Sequence, residues 1–136
     1  MDRDAGDRVV CIASAADIVV ARQQGRSLAS ALGFSSGDLT VVATAISEVA
    51  RNILEYAGRG EIRLSLCQQG GRRGICVVAC DKGPGIPDVE RALRPGYSTQ
   101  KGLGLGLPGA QRLMDEFEIV SAAGSGTTVT MRKWAP

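Results

Sequence analysis

Glu48 and Asn52 stand four residues apart in "EVARN". In a helix that spacing puts an acid and an amide on one face, a turn apart. A carboxylate there can take a proton, and an amide oxygen can sit on a hard cation. A solvated helix face, with Glu48 paired to Arg51, uses the same residues. Asp81 closes the apolar run "ICVVAC" and is followed by Gly83 and Gly85. An ionised Asp only accepts hydrogen bonds. Held at a strand end, it suits an exocyclic amino group such as that of adenine and rejects the carbonyl of guanine. The plainer alternative is an Asx-type turn in which the glycines supply positive φ. Gly102, Gly104 and Gly106 alternate in "KGLGLGLPG", just before a helix with Pro108 near its first turn. Bare N–H groups at a helix start favour phosphate, although a flexible glycine loop has the same composition. The G-x-G-x-x-G at 104–109 follows the loop "RPGYSTQK" rather than a strand, so it is a weak dinucleotide signal, and no G-x-x-x-x-G-K-[ST] occurs.

These residues need elements to hold them. "DRVVCIAS" (7–14) reads as a strand. Residues 16–34 carry Ile18, Val19, Ala21, Leu28, Ala31 and Leu32 near helical spacing, with Ser14 or Asp17 as cap and Gly33 as stop. Residues 35–58 give the clearest helix: Leu39, Val42, Ile46, Val49, Ile53 and Ala57 recur at three or four, with Asp38 as N-cap and Gly58 as terminator. Thr44, Glu48, Asn52 and then Glu55 or Tyr56 form a polar stripe beside that apolar one. "EIRLSLCQ" (61–68) alternates as a half-buried strand, "QGGRRG" is a hairpin turn, and "ICVVAC" (75–80) is a central strand. A helix over 107–117 follows a long Gly/Pro/Ser-rich stretch. "EIVSAA" and "TTVTMRKW" are two strands joined by "GSG". The order β-α-α-β-β-(loop)-α-β-β predicts a two-layer α/β sandwich: a mixed, mostly antiparallel sheet of about five strands with three helices on one face.

Composition narrows the chemistry. A chain of 136 residues, 44% hydrophobic, predicts one domain over 1–136 with a real core. Scattered basic residues, a net charge of +2 and 4% aromatics give no support to nucleic-acid binding. No apolar run approaches a membrane span, and the charged start "MDRDAGDR" carries no signal-peptide core, so a cytoplasmic protein with no membrane partner is expected. The chain has no histidine. That removes His-based zinc sites, Ser-His-Asp and Cys-His catalysis, and a phosphoacceptor histidine on this chain. The four cysteines, Cys11, Cys67, Cys76 and Cys80, form no C-x-x-C pair and read as reduced thiols acting as small hydrophobes.

Taken in order, E-x-x-x-N on a helix, D-x-G-x-G after a strand and G-x-G-x-G before a helix resemble the boxes of the GHKL (Bergerat-fold) ATP-binding family. "EVARN" is similar to its N box, "DKGPG" and "GLGLGL" to its glycine boxes, and "GSGTTV" to its terminal G-T segment. The likeness runs from about residue 7 to 134. Within the family, "ISEVARNILEYAGRG" and "KGLGLGLPGAQRLMDEFEI" look most like the serine/threonine kinases of bacterial partner-switching pathways, the stressosome switch kinases, with anti-sigma factor kinases as relatives.

The resemblance implies ATP and Mg²⁺. Asn52 would ligate Mg²⁺, and Glu48 would be the general base for an attacking Ser or Thr hydroxyl. Asp81 would hold the adenine amino group, with Gly83 and Gly85 shaping the purine pocket and Thr127 supporting Asp81. Gly102, Leu103, Gly104, Leu105 and Gly106, with Lys101, would bind phosphate. Residues 86–101 would form an ATP lid carrying Arg94, and Arg51 would serve phosphate, substrate or a surface pair. The implied partners are a STAS-domain antagonist or scaffold protein that receives phosphate and a PP2C-type phosphatase. The alternative is an anti-sigma factor that sequesters a sigma factor and is released through an anti-anti-sigma factor.

Overall fold

The computed structural model describes residues 7–85, 106–122 and 124–136. Five strands form one open sheet in the order β1-β2-β3-β5-β4. They are β1 (Arg8–Ile12), β2 (Gly60–Gln69), β3 (Arg72–Asp81), β4 (Glu116–Ala122) and β5 (Gly126–Trp134). Every pairing is antiparallel, so the expected mixed character is absent from these five strands. β3 is central, as its apolar run predicts. Gly70 and Gly71, both at positive φ, make the tight turn that joins β2 to β3. Ser125 N–H closes the β4–β5 turn on the Ala122 carbonyl at 2.9 Å.

Alternation decides which face is buried. Ile62 pairs with Ala79 and Leu64 with Val77, while β5 brings Val129 and Met131 opposite Ala79 and Val77. All six point into one core. The helices α1 (Ala15–Ser30), α2 (Ser36–Tyr56) and α3 (Gly106–Leu113) cover that face. α1 contributes Ile18, Ala21 and Leu28, α3 contributes Leu107 and Ala110, and α2 contributes Val42, Ile46, Val49 and Ile53. Full burial of each large aliphatic on α2 stabilises by about 1.5–3 kcal/mol. That stripe fixes the rotation of α2 about its own axis. Val19 of α1, read as part of the apolar face, is instead 38% exposed, because the helix turns it away from the sheet.

Among the described residues no helix lies on the opposite face of the sheet. Glu61, Arg63, Cys76, Cys80 and Thr128 alternate with the core residues and lie on it. All four cysteines are free; Cys11 is exposed and the others are half-buried. They do not act as core hydrophobes, because no described element covers their side of the sheet. Burial pushes the Cys67 and Cys76 thiols up from their ordinary pKa, against the opposing pull of the nearby Arg132 charge. Both are therefore thiols rather than thiolates at neutral pH.

Two boundaries differ from the sequence reading. The last helix ends at Leu113 rather than at 117, because Phe117 and Ile119 follow a period of two and pair with Met131 and Val129 in β4. The N-cap of α2 is Ser35, not Asp38. Ser35 has extended backbone (φ −66°, ψ 164°), and its side chain accepts the Asp38 N–H at 3.1 Å. Asp38 lies inside the first turn, where its charge favours the helix dipole. Gly58, at φ 81°, follows the C-cap Ala57, and its N–H returns to the Ile53 carbonyl at 3.0 Å. Ser35→Ala is expected to cost about 1 kcal/mol of stability through loss of that cap, read as a lower midpoint in urea unfolding with an unchanged slope.

Candidate active site

Glu48 and Asn52 project from α2 beside the apolar stripe, and neither is solvated. Glu48 is 5% exposed and Asn52 8%. A buried carboxylate needs a countercharge or hydrogen bonds. Glu48 has Arg51, whose Nη1 lies 3.0 Å from Glu48 Oε2. That nitrogen makes no aligned hydrogen bond, so the contact is an ion pair rather than a guanidinium fork. The Asn52 side chain hydrogen-bonds to no described residue, which leaves its oxygen able to take a cation or an ordered water.

Asp81 is 6% exposed at the end of β3. Its Oδ1 accepts the Gly83 N–H at 2.9 Å. The Asx-type turn is therefore real, and it occupies one carboxylate oxygen. Among the described residues no cation pairs with Asp81, so Oδ2 is left for another donor. The turn orients the carboxylate and leaves its second oxygen without a described donor.

Two glycines bring Asp81 to α2. Gly83 packs so tightly on the end of the helix that a Cβ there would lie 2.5 Å from the Ala57 Cβ and 3.1 Å from the Tyr56 carbonyl oxygen. Gly60 fills the narrow space between helix and strand, where a Cβ would lie 2.9 Å from Ile53 Cγ2 and 3.0 Å from Asp81 Cβ. Through these contacts the strand end that carries Asp81 lies directly against the last turns of α2. Gly83, expected in the purine pocket, thus has a closer reason to be glycine. Gly85 has φ 85°, a conformation that strains residues with a side chain.

Thr127 stands directly across from Asp81 in the β3–β5 register and is 3% exposed. Its hydroxyl lies 2.8 Å from Ser121 Oγ. Ser121 also donates to the Gly126 carbonyl at 3.1 Å. The sequence reading missed Ser121, since only the β4–β5 register sets it opposite Thr127. Gly106 opens α3, which packs on α2 through a shared core. Arg94, Lys101, Gly102, Leu103, Gly104, Leu105 and the expected lid over 86–101 lie outside the described residues. A cleft of about 480 Å³ is bordered by Cys11, Gly60, Glu61, Cys80 and Asp81, and neither Glu48 nor Asn52 lines it.

The arrangement is an acid and an amide on a helix, a carboxylate turn packed on that helix, and a helix start beside it. The model of the histidine kinase-like ATPase domain matches residues 11–133. The chain belongs to that family. Its nucleotide is accordingly ATP. Among relatives, the serine/threonine-protein kinase RsbT of Bacillus subtilis (strain 168) is 51% identical over 118 residues, covering 87% of this chain and 89% of that protein. The anti-sigma F factor of Caldanaerobacter subterraneus subsp. tengcongensis is 32% identical over 101 residues, and that of Thermoanaerobacter sp. (strain X514) 30% over 102, each covering 71% of both chains. No helix among the described residues is long and apolar enough to cross a membrane.

For this family the residues present fit Mg²⁺ as a lightly held ion. Among the described residues no three Cys, Asp or Glu side chains converge on one point. A free amide oxygen at Asn52 suits a hard cation that keeps most of its ligands as water and phosphate. Gly83→Ala is expected to lift the Asp81 turn off α2. It should cost about 1–3 kcal/mol by overpacking and weaken ATP, measured by thermal unfolding and calorimetric titration on one preparation.

Proposed function

We propose that the chain is a serine/threonine protein kinase. In this reading it passes the γ-phosphoryl group of ATP to a STAS-domain antagonist or scaffold protein and so switches partners in a bacterial stress or sigma-factor pathway. The observation that carries the proposal is the buried carboxylate of Glu48 one helical turn from the free amide of Asn52. The strong likeness to RsbT supports the acceptor class.

The step is an in-line displacement. The acceptor hydroxyl loses its proton to Glu48, its oxygen bonds to the γ-phosphorus, and the bond to the β-phosphate oxygen breaks to release ADP. Asn52 would hold Mg²⁺, which offsets phosphate charge when bound. Asp81 accepts the adenine amino hydrogen through Oδ2, its orientation set by the Gly83 bond. Thr127, with Ser121, lines the strand beside it. Gly106 and the preceding Lys101 to Leu105 would take the phosphates on backbone amides and a lysine charge, under a lid over 86–101.

The same kinase would reach a PP2C-type phosphatase once freed from its antagonist, in the cytoplasm and without nucleic acid. The anti-sigma F factors among the relatives favour a second reading, in which the chain sequesters a sigma factor and phosphorylation releases it. Co-purification with a sigma factor supports that reading.

Mixing the chain with radiolabelled ATP and STAS-domain proteins tests the first. Glu48→Gln should lower transfer by about 10²–10⁴-fold, the usual worth of a general base, with ATP affinity held within about threefold. Transfer at the normal rate would remove Glu48 from its role. Asp81→Asn should weaken ATP by at least about tenfold, the worth of one hydrogen bond to a charged group, and should erode the preference for ATP over GTP in competition. Unchanged affinity would refute the adenine contact.

A further inference from the structure

We propose that Arg51 is the positioning residue of the transfer step: it fixes the direction of the Glu48 carboxylate so that one oxygen stays open to the acceptor hydroxyl. The inference rests on the kinase reading of the same site.

An ordinary i,i+3 pair on a helix surface is solvated at both ends and constrains little. This one is not. Glu48 is 5% exposed, whereas the Arg51 side chain is 33% exposed and reaches it from the rim. Arg51 Nη1, itself buried, lies 3.0 Å from Oε2 of Glu48. No described residue hydrogen-bonds to the other carboxylate oxygen, Oε1. One oxygen is therefore held by the guanidinium charge, and the other remains an unengaged acceptor. A bidentate fork would occupy both oxygens and leave nothing for a proton.

The absence of an aligned hydrogen bond at Nη1 fits the same role. The guanidinium orients the carboxylate as a charge, without taking the lone pairs a base must use. Arg51 borders a cleft of about 330 Å³ together with Ala15 and Ile18 of α1 and Leu54 and Glu55 of α2. In the kinase reading Arg51 serves the acid while Asn52, on the Glu48 face of α2, serves the cation.

A double-mutant cycle distinguishes this role from a structural one. Arg51→Ala, Arg51→Lys, Glu48→Gln and the Arg51→Ala/Glu48→Gln pair are compared with the wild type. The acceptor is the STAS-domain protein that the wild type phosphorylates. Arg51→Ala should lower kcat for transfer at least tenfold with KM for ATP within twofold, and Arg51→Lys should recover part of the loss. On the Glu48→Gln background Arg51→Ala should change the residual rate less than twofold, because Arg51 acts through Glu48. Where Arg51→Ala fails to fold, judged by its melting curve, Arg51→Gln takes its place under the same criteria. The inference is overturned by a wild-type kcat in Arg51→Ala, by an equal further loss on the Glu48→Gln background, or by a raised KM with kcat intact. A wild-type chain that phosphorylates no acceptor instead removes the kinase reading, and this inference with it.

Discussion

The last turns of α2 lie against the end of β3 with almost no space between them, and the site depends on that contact. Asp81 belongs to a strand and Asn52 to a helix, so nothing local relates them. Two missing side chains let the end of the strand approach the helix. At Gly60 the helix side chain Ile53 and the strand residue Asp81 approach the same point. At Gly83 the turn after the strand rests on Ala57. Close packing of this kind resists even a single added methyl group. The carboxylate of Asp81 is therefore held at a set distance from α2 before any nucleotide arrives.

The apolar stripe of α2 does the complementary work. Val42, Ile46, Val49 and Ile53 bury against the sheet and leave the helix one rotation. Glu48 and Asn52 sit at the edge of that stripe. They are drawn under cover by the hydrophobic burial of their neighbours, and polar burial is tolerated because Arg51 supplies charge to one of them. A preorganised polar group of this kind needs no rearrangement when charge develops beside it.

Much of this was legible in the sequence, and the reasons differ by residue. The existence of α2 and β3 followed from long, unambiguous periodicity. Asp81 and its glycines were visible because an acid ending an apolar run is conspicuous. The burial of Glu48 and Asn52 was not legible from α2 alone, since helical spacing equally allows a solvated face; only the combination with Asp81 and the 102–106 glycines tipped the reading. The N-cap was misplaced because Ser35 and Asp38 both suit a helix start, and backbone angles rather than residue type decide between them. The end of the last helix is not legible, because Phe117 fits either period until its pairing with Met131 is known. The hydroxyl pair of Ser121 and Thr127 depends wholly on strand register, which no short motif encodes. The exposure of the cysteines is not legible, because sequence does not say which sheet face the helices cover.

The bond from Gly124 N–H to the Pro84 carbonyl, at 2.8 Å, ties the β4–β5 turn to the loop that leaves Asp81. The far end of that connection, Gly106, begins a helix already packed on α2. Both anchor points of the intervening segment thus belong to the folded framework. The entropy of bringing them together is lost when the domain folds. Nucleotide affinity is accordingly relieved of that term.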